Sequence, residues 1–247
     1  FCASQIHNVY SYFLQTTTEG FTVIQINELN KSLFGGGHRV NILNGIDLVI
    51  PSGQFIAITG ASGSGKTTLL SLIAGLDEPT EGNIIINGQN ITKLSEDELA
   101  ELRSQHFGFI FQNFNLIPTL TALENVTLSA ELNGSNGTQK KSTELLSLVG
   151  LANRNHHYPS QLSGGEQQRL SLARAFINEP SIVLADEPTG NLDSQNSKRI
   201  LDLMTDLHRN KKSTIALVTH EPDVAKKAER IIVMDDGKII KDSLPAL

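Results

Sequence analysis

A chain of 247 residues is long enough for one large domain, or for one domain with a subdomain. Its 39% hydrophobic and 19% charged residues are those of an ordinary globular protein, and a net charge of -6 without blocks of like charge argues against nucleic-acid binding. The single cysteine, Cys2, leaves no internal disulfide and suits a reducing compartment, and no apolar run approaches the ~20 residues of a membrane-spanning helix. Residues 1–20 carry no motif, no basic n-region and no apolar core. They read as an N-terminal extension, poorly ordered, rather than as a signal peptide.

From Phe21 to Glu28 polar and apolar residues alternate as in a strand. Gly35-Gly36-Gly37 marks a turn, and Ile42 to Ile50 gives a second strand, closed by Pro51-Ser52-Gly53. No helix separates these early strands, so they predict antiparallel pairing. Gln54 to Thr59 reads as a buried strand and Thr67 to Ala74 as a helix. Asn83 to Gly88 is a short strand. Ser95 with Glu98 forms a capping box that opens a helix to about Arg103. Phe107 to Phe111 is a strand ending at Gln112. The next stretch is mainly helical. Thr121 with Glu124 caps a helix to about Leu132, Lys141 to Val149 is another, and Ser163 with Glu166 caps a third to about Ile177. This predicts a helical subdomain over about 113–178 within a domain spanning 21–247. Strands at Ile182 to Ala185, Thr214 to Thr219 and Ile231 to Met234 alternate with helices at Gln195 to Arg209 and Asp223 to Lys227. That alternation predicts a parallel sheet with right-handed crossovers.

Gly60-Ala61-Ser62-Gly63-Ser64-Gly65-Lys66-Thr67-Thr68 fits the phosphate-cradling loop G-x-x-x-x-G-K-[ST], set between a strand and a helix. Glycines let backbone N–H groups turn inward around a phosphate, and the positive end of the following helix points at the same charge. Lys66 can reach the β- and γ-phosphates, and the Thr67 hydroxyl can reach Mg²⁺. Ile182 to Ala185 is an apolar strand running into Asp186-Glu187. Beside a phosphate loop, Asp186 is the expected Mg²⁺ carboxylate, and Glu187 is placed to polarise an attacking water. Leu162-Ser163-Gly164-Gly165-Glu166-Gln167 is locally a helix N-terminus whose two glycines keep N–H groups exposed, a second anion site.

That six-residue string, with the phosphate loop, resembles the signature of ATP-binding-cassette (ABC) ATPases, and the resemblance covers roughly residues 21–243. It implies a P-loop, RecA-like α/β core with an antiparallel β subdomain and a helical subdomain. Gln112 matches the Q-loop glutamine, close to the Mg²⁺. Gly190-Asn191-Leu192-Asp193 matches the D-loop, and His220, after the strand Thr214 to Thr219, matches the switch histidine. The family stacks adenine on a Tyr shortly after the first strand. Leu33 stands there with Phe34 beside it, so either Phe34 supplies the ring or stacking is weak.

Ala185 to Asp193, Gly108 to Gln112 and Thr121 to Val126 are similar to the LolD, MacB and FtsE branch. Lys31-Ser32, Gly36-Gly37-His38 and Asn115 to Leu120 resemble its YbbA members. The resemblance implies hydrolysis of ATP with Mg²⁺ between two copies in a head-to-tail dimer. Each ATP is then held by one copy's phosphate loop and by Ser163, Gly164, Gly165 and the D-loop Asp193 of the other. Lys66, Glu187 and His220 are the catalytic set; Thr67, Gln112 and Asp186 serve the metal. It further implies an integral membrane permease as partner, with the chain peripheral on the cytoplasmic face of the inner membrane. The alternatives are an ABC ATPase outside transport: FtsE-like signalling in cell division, or DNA repair or translation. Repair members insert long coiled coils between phosphate loop and signature, but here Leu69 to Gln161 shows no sustained heptads. Translation members carry two cassettes in one chain. The apolar run Phe114 to Leu120, broken by Pro118, is expected to stay partly exposed and to form a groove with residues up to Asn133 for a short permease helix.

Overall fold

A computed structural model describes residues 22–35, 38–134 and 138–243. The expectation for residues 1–20 lies outside them. The described residues form two compact units, one within Phe1–Leu99 and Ala216–Leu247, the other within Ala100–Ile215.

In the first unit, β1 (Thr22–Gly35), β2 (His38–Pro51), β4 (Glu81–Ile86) and β5 (Gln89–Asn90) form an antiparallel sheet in the order β2-β1-β4-β5. Ile24, Ile26, Ile46, Leu48, Ile50, Ile84 and Ile86 are buried in its core. The first two strands run well past the lengths that alternation predicts. Their pairing shifts register at Ile26/Leu29, Leu29/Lys31 and Lys31/Ser32, and each such irregularity resets the two-residue period. The same unit holds β3 (Phe55–Thr59), parallel to β9 (Arg230–Asp235), which pairs antiparallel with β10 (Lys238–Ser243). The first four residues of β3 are all buried, as in a parallel strand covered on both faces. Strand β10 is unanticipated, because it is a largely exposed edge with no apolar alternation. Buried Arg230 donates to Asp242 Oδ1 at 2.7 Å and to the Val49 carbonyl at 2.7 Å, tying β9 to β10 and to β2. Helices α1 (Lys66–Ile73) and α7 (Pro222–Ala225) complete the unit; α2 (Glu96–His106) begins in it.

In the second unit, β6 (Phe107–Phe111) and β7 (Ile182–Asp186) are parallel and in register, from Phe107 opposite Ile182 to Phe111 opposite Asp186. Helices α3 (Ala122–Glu131), α4 (Thr138–Leu148), α5 (Gly164–Phe176) and α6 (Ser194–Lys211) pack within it. Val126, Leu146, Leu170, Leu172, Phe176 and Met204 form its core. Helix α6 shows why sequence suffices for such elements. It buries Ile200, Leu201, Met204, Leu207 and His208 along one stripe, is capped by Asp193, and ends in basic residues that suit its negative pole. Strand β8 (Thr214–Val218) carries the sequence boundary between the units.

All three predicted capping boxes form. In each, the glutamate accepts from the backbone N–H and the hydroxyl of Ser95, Thr121 or Ser163. Each hydroxyl accepts in turn from the N–H three residues on.

Candidate functional site

In the first unit, β3 ends at Thr59 and the chain turns through Gly60 to Gly65 into α1. Two glycines are required by space as well as by dihedral angle. Gly60 has φ 149°, and a Cβ there would lie 2.1 Å from the Met234 carbonyl oxygen. Gly65 has φ 96°, and a Cβ would lie 2.9 Å from the Ile42 carbonyl oxygen. The loop is held from behind, where Gly237 N–H donates to the Ser64 carbonyl at 3.3 Å. Ala61, Ser62 and Gly63 are exposed, and no side chain caps the N-terminus of α1. The loop is therefore a backbone cradle in front of an uncapped helix start, the arrangement an anion fits. Buried Lys66 donates to the carbonyls of Gly60 and Ala61 at 2.9 and 2.7 Å and to Ser64 Oγ at 3.3 Å. Its ammonium is thus folded against the loop. Thr67 is exposed at the helix start and Thr68 half-buried. His220 is exposed just after β8, beyond Thr219, whose N–H donates to the Ile58 carbonyl at 3.1 Å. Leu33 pairs with Val40, and Phe34, 83% exposed, pairs with Arg39. Successive strand residues point to opposite faces, so Phe34 does not take the face of Leu33.

In the second unit, the register of β6 and β7 sets Gln112 and Glu187 just beyond the paired residues Phe111 and Asp186. Gln112 Nε2 donates to Asn191 Oδ1 at 3.3 Å, and Asn191 Nδ2 donates to the Gln112 carbonyl at 3.0 Å and to Asn113 Oδ1 at 3.2 Å. The Q-loop and D-loop segments are thereby joined. Glu187 has φ 47°, the left-handed region, and opens a tight turn in which Gly190 N–H donates to its carbonyl at 3.1 Å.

The signature segment is the start of α5. Ser163 is its N-cap, and Ser163 and Gly164 are exposed. Buried Gly165 abuts Asn196, whose Oδ1 would lie 2.5 Å from a Cβ there. Asn196 in turn donates to Asp193 through its backbone at 2.8 Å and its side chain at 2.7 Å. Asp193 thus caps α6, and the Asn196 N–H holds its carboxyl below the usual range. The Ser163 N–H, then the Arg154 guanidinium at 2.9 Å, lower the Glu166 carboxyl to about 2.

Four residues without a sequence assignment do much of the positioning. Asn125, 1% exposed, accepts from the Ile117 N–H at 2.8 Å and donates to the carbonyls of Ile117, Leu120 and Thr121, which fixes the loop ahead of α3. Arg174 donates to the carbonyls of Asn115 and, at 2.9 Å, Phe114; both residues have left-handed φ. Arg154 braces Glu166, and Gln168 lies buried behind the Glu187 turn. Asn125 acts within 8 positions of itself, but the contacts of Arg154, Gln168 and Arg174 span 12, 20 and 60 positions, which no local spacing reveals.

A backbone cradle after a buried strand, followed by an uncapped helix carrying a buried lysine, defines a P-loop nucleotide-binding α/β protein. Comparison narrows the class. Residues 43–190 match the ABC transporter family, and the chain belongs to that family, as its ATP-binding cassette. It is 46% identical over 223 residues to the macrolide export ATP-binding/permease protein MacB of Hyphomonas neptunium, covering 90% of this chain and 34% of MacB. The chain thus spans about a third of that relative. It is 44% identical over 223 residues to the uncharacterized ABC transporter ATP-binding protein YbbA of Escherichia coli K12, covering 90% of this chain and 98% of YbbA. The dimeric post-hydrolysis structure of the ATP-binding cassette MJ0796, bound to ADP and Pi, superposes with a TM-score of 0.85 at 39% identity, covering 91% of this chain and 99% of that chain. The expected family and α/β cassette fold are thereby established.

Proposed function

We propose that this cassette hydrolyses ATP to ADP and phosphate and, as a head-to-tail pair with a second copy, powers an integral membrane permease of the MacB-like, mechanotransmitting type. The observation that carries the reading is the uncapped, glycine-walled phosphate loop with Lys66 inside it, in a chain that also presents the Ser163–Gly165 helix start. On ATP binding, Lys66 exchanges its bonds to the loop carbonyls for bonds to phosphate oxygens. The loop N–H groups from Gly60 to Thr68 hold the remaining charge. Glu187 takes a proton from the attacking water, and His220 orients the γ-phosphate. Ser163, Gly164 and Gly165, with Asp193, meet the ATP of the partner copy; with Leu33 at the aligned position and Phe34 on the opposite face of the strand, stacking on the base is weak.

The donor set fits Mg²⁺. Thr67 offers a hydroxyl, Gln112 an amide oxygen and Asp186 a carboxylate, and among the described residues no group of three or more His, Cys, Asp or Glu could hold a metal. One carboxylate with neutral oxygens suits a small hard ion that keeps water and substrate oxygens. Mg²⁺ neutralises charge on the phosphates when bound.

No helix among the described residues is long and apolar enough to cross a membrane. In this reading the cassette docks at the cytoplasmic side of the permease. Ile117 is 38% exposed in the expected run, whereas Phe114, Leu116 and Leu120 are half-buried. Beside the run, a groove is lined by Leu120, Leu123, Thr127, Leu128, Glu131 and Gln139. Its three leucines, with Glu124 and Glu131 also in the lining, suit an amphipathic permease helix that carries basic residues.

Phosphate release by the purified chain tests the reading. We expect Mg²⁺-dependent turnover of ATP that is abolished by chelation and by Lys66→Ala. Equal rates in parent and Lys66→Ala, or no ATP binding by the parent, would overturn it.

A further inference from the structure

We propose that Gln168 is a positioning residue for hydrolysis: from within α5 it holds the turn Glu187–Gly190 and thereby fixes the direction of the Glu187 carboxylate. The inference rests on the reading of Glu187 as the proton acceptor.

Gln168 is fully buried. Its Nε2 donates to the Pro188 carbonyl at 2.6 Å and to the Phe111 carbonyl at 3.4 Å. Both acceptors are carbonyl oxygens, so the amide must present its nitrogen to them. They lie at matched ends of neighbouring strands, because Phe111 pairs with Asp186. One amide therefore touches the residue before Gln112 and the residue after Glu187.

The turn needs such a tether. Glu187 is a non-glycine residue at φ 47° and precedes a proline. Proline crowds the residue before it and favours an extended backbone there. A left-handed conformation at that position persists only where the surroundings over-determine it. Within the turn, the Gly190 N–H to Glu187 carbonyl bond supplies one restraint, and the Gln168 bond to Pro188 supplies another from outside. Gln168 also carries a liability that packing alone does not explain: its Oε1 is buried without a hydrogen-bond partner. An apolar side chain of the same length would avoid that desolvation penalty. What it could not do is donate to Pro188.

The consequence falls on turnover rather than on nucleotide affinity. ATP is held by the phosphate loop, which Gln168 does not touch in sequence or by any bond described. A proton acceptor swung out of line slows the chemical step steeply, since misplacement by about 1 Å can cost about a hundredfold.

The test compares Gln168→Met, which keeps length and removes the donor, with Glu187→Gln and with the double variant. We expect kcat to fall roughly ten- to a hundredfold in Gln168→Met, with the ATP dissociation constant within about twofold of the parent. In the Glu187→Gln background, Gln168→Met should add no further loss, because both changes remove one function. Glu187→Gln turnover at the parental rate would instead refute the proton-acceptor reading itself. With Glu187→Gln inactive, three results would overturn the positioning role alone: parental kcat in Gln168→Met, the same fold-loss in both backgrounds, or a parallel rise in the ATP dissociation constant. Gln168→Leu is the second variant; if both unfold at the assay temperature, Gln168 is a core residue and the proposal is wrong.

Discussion

Phe111 and Asp186 face each other as the last pair of the parallel β6–β7 ladder. That single register sends Gln112 and Glu187 side by side out of neighbouring strands, and Asn191 closes the gap by donating to Gln112 and Asn113. Asn191→Ala should therefore loosen Gln112 with little effect on the fold, since each lost bond at an exposed site is worth about 1 kcal/mol or less. We expect a several-fold drop in kcat with an unfolding midpoint shifted by only a few degrees. Thermal unfolding and steady-state rates on the same preparation check this; unchanged kcat would detach Asn191 from the reaction.

A second prediction concerns pH. The Ser163 N–H and Arg154 hold the Glu166 carboxyl at about 2 in the folded chain, against an ordinary value of 4.5. As pH falls, the unfolded chain takes up this proton first. The stabilisation is therefore complete above about pH 4.5 and is lost as pH falls towards about 2. Glu166→Gln preserves a capping box in kind and removes the charge. The stability gap between parent and Glu166→Gln should be widest near neutral pH and close on acidification, as read by urea unfolding at a series of pH values. A gap independent of pH would contradict the ion-paired state.

The permease surface gives the third. Ile117→Asp places a charge on an exposed side chain whose backbone is secured by Asn125. It should release the cassette from permease-containing membranes while basal ATPase stays within about twofold, because nothing in the phosphate loop or the signature is altered. Co-sedimentation with those membranes is the measurement, and retention at parental levels would move the docking surface elsewhere.

Much of this architecture is written locally. The phosphate loop, the three capping boxes and the amphipathic stripe of α6 depend on residues within one or two turns of each other, so spacing alone exposes them. The long β1–β2 hairpin is hidden because its register shifts break the alternation after Ile26. Strand β10 is hidden because an exposed edge has no buried face to mark it. The supporting residues are hidden for another reason. Gln168 meets Pro188 across 20 positions, and Arg174 meets Phe114 across 60. No periodicity spans such distances. The resemblance supplied roles for Gln112 and His220, and the strand end beside the phosphate loop supplied that of Glu187, but the amides and guanidinium groups that aim their neighbours are visible only in the folded chain.

In the proposed mechanism two copies enclose ATP and Glu187 takes the proton from water. Glu187→Gln keeps the shape of the side chain and removes its charge. The most direct measurement is the mass of purified Glu187→Gln by light scattering, with ATP and with ADP, alongside phosphate release. We predict a dimer with ATP, a monomer with ADP, and turnover reduced at least about a hundredfold. A variant that stays monomeric at saturating ATP, or that hydrolyses ATP at the parental rate, would overturn this mechanism.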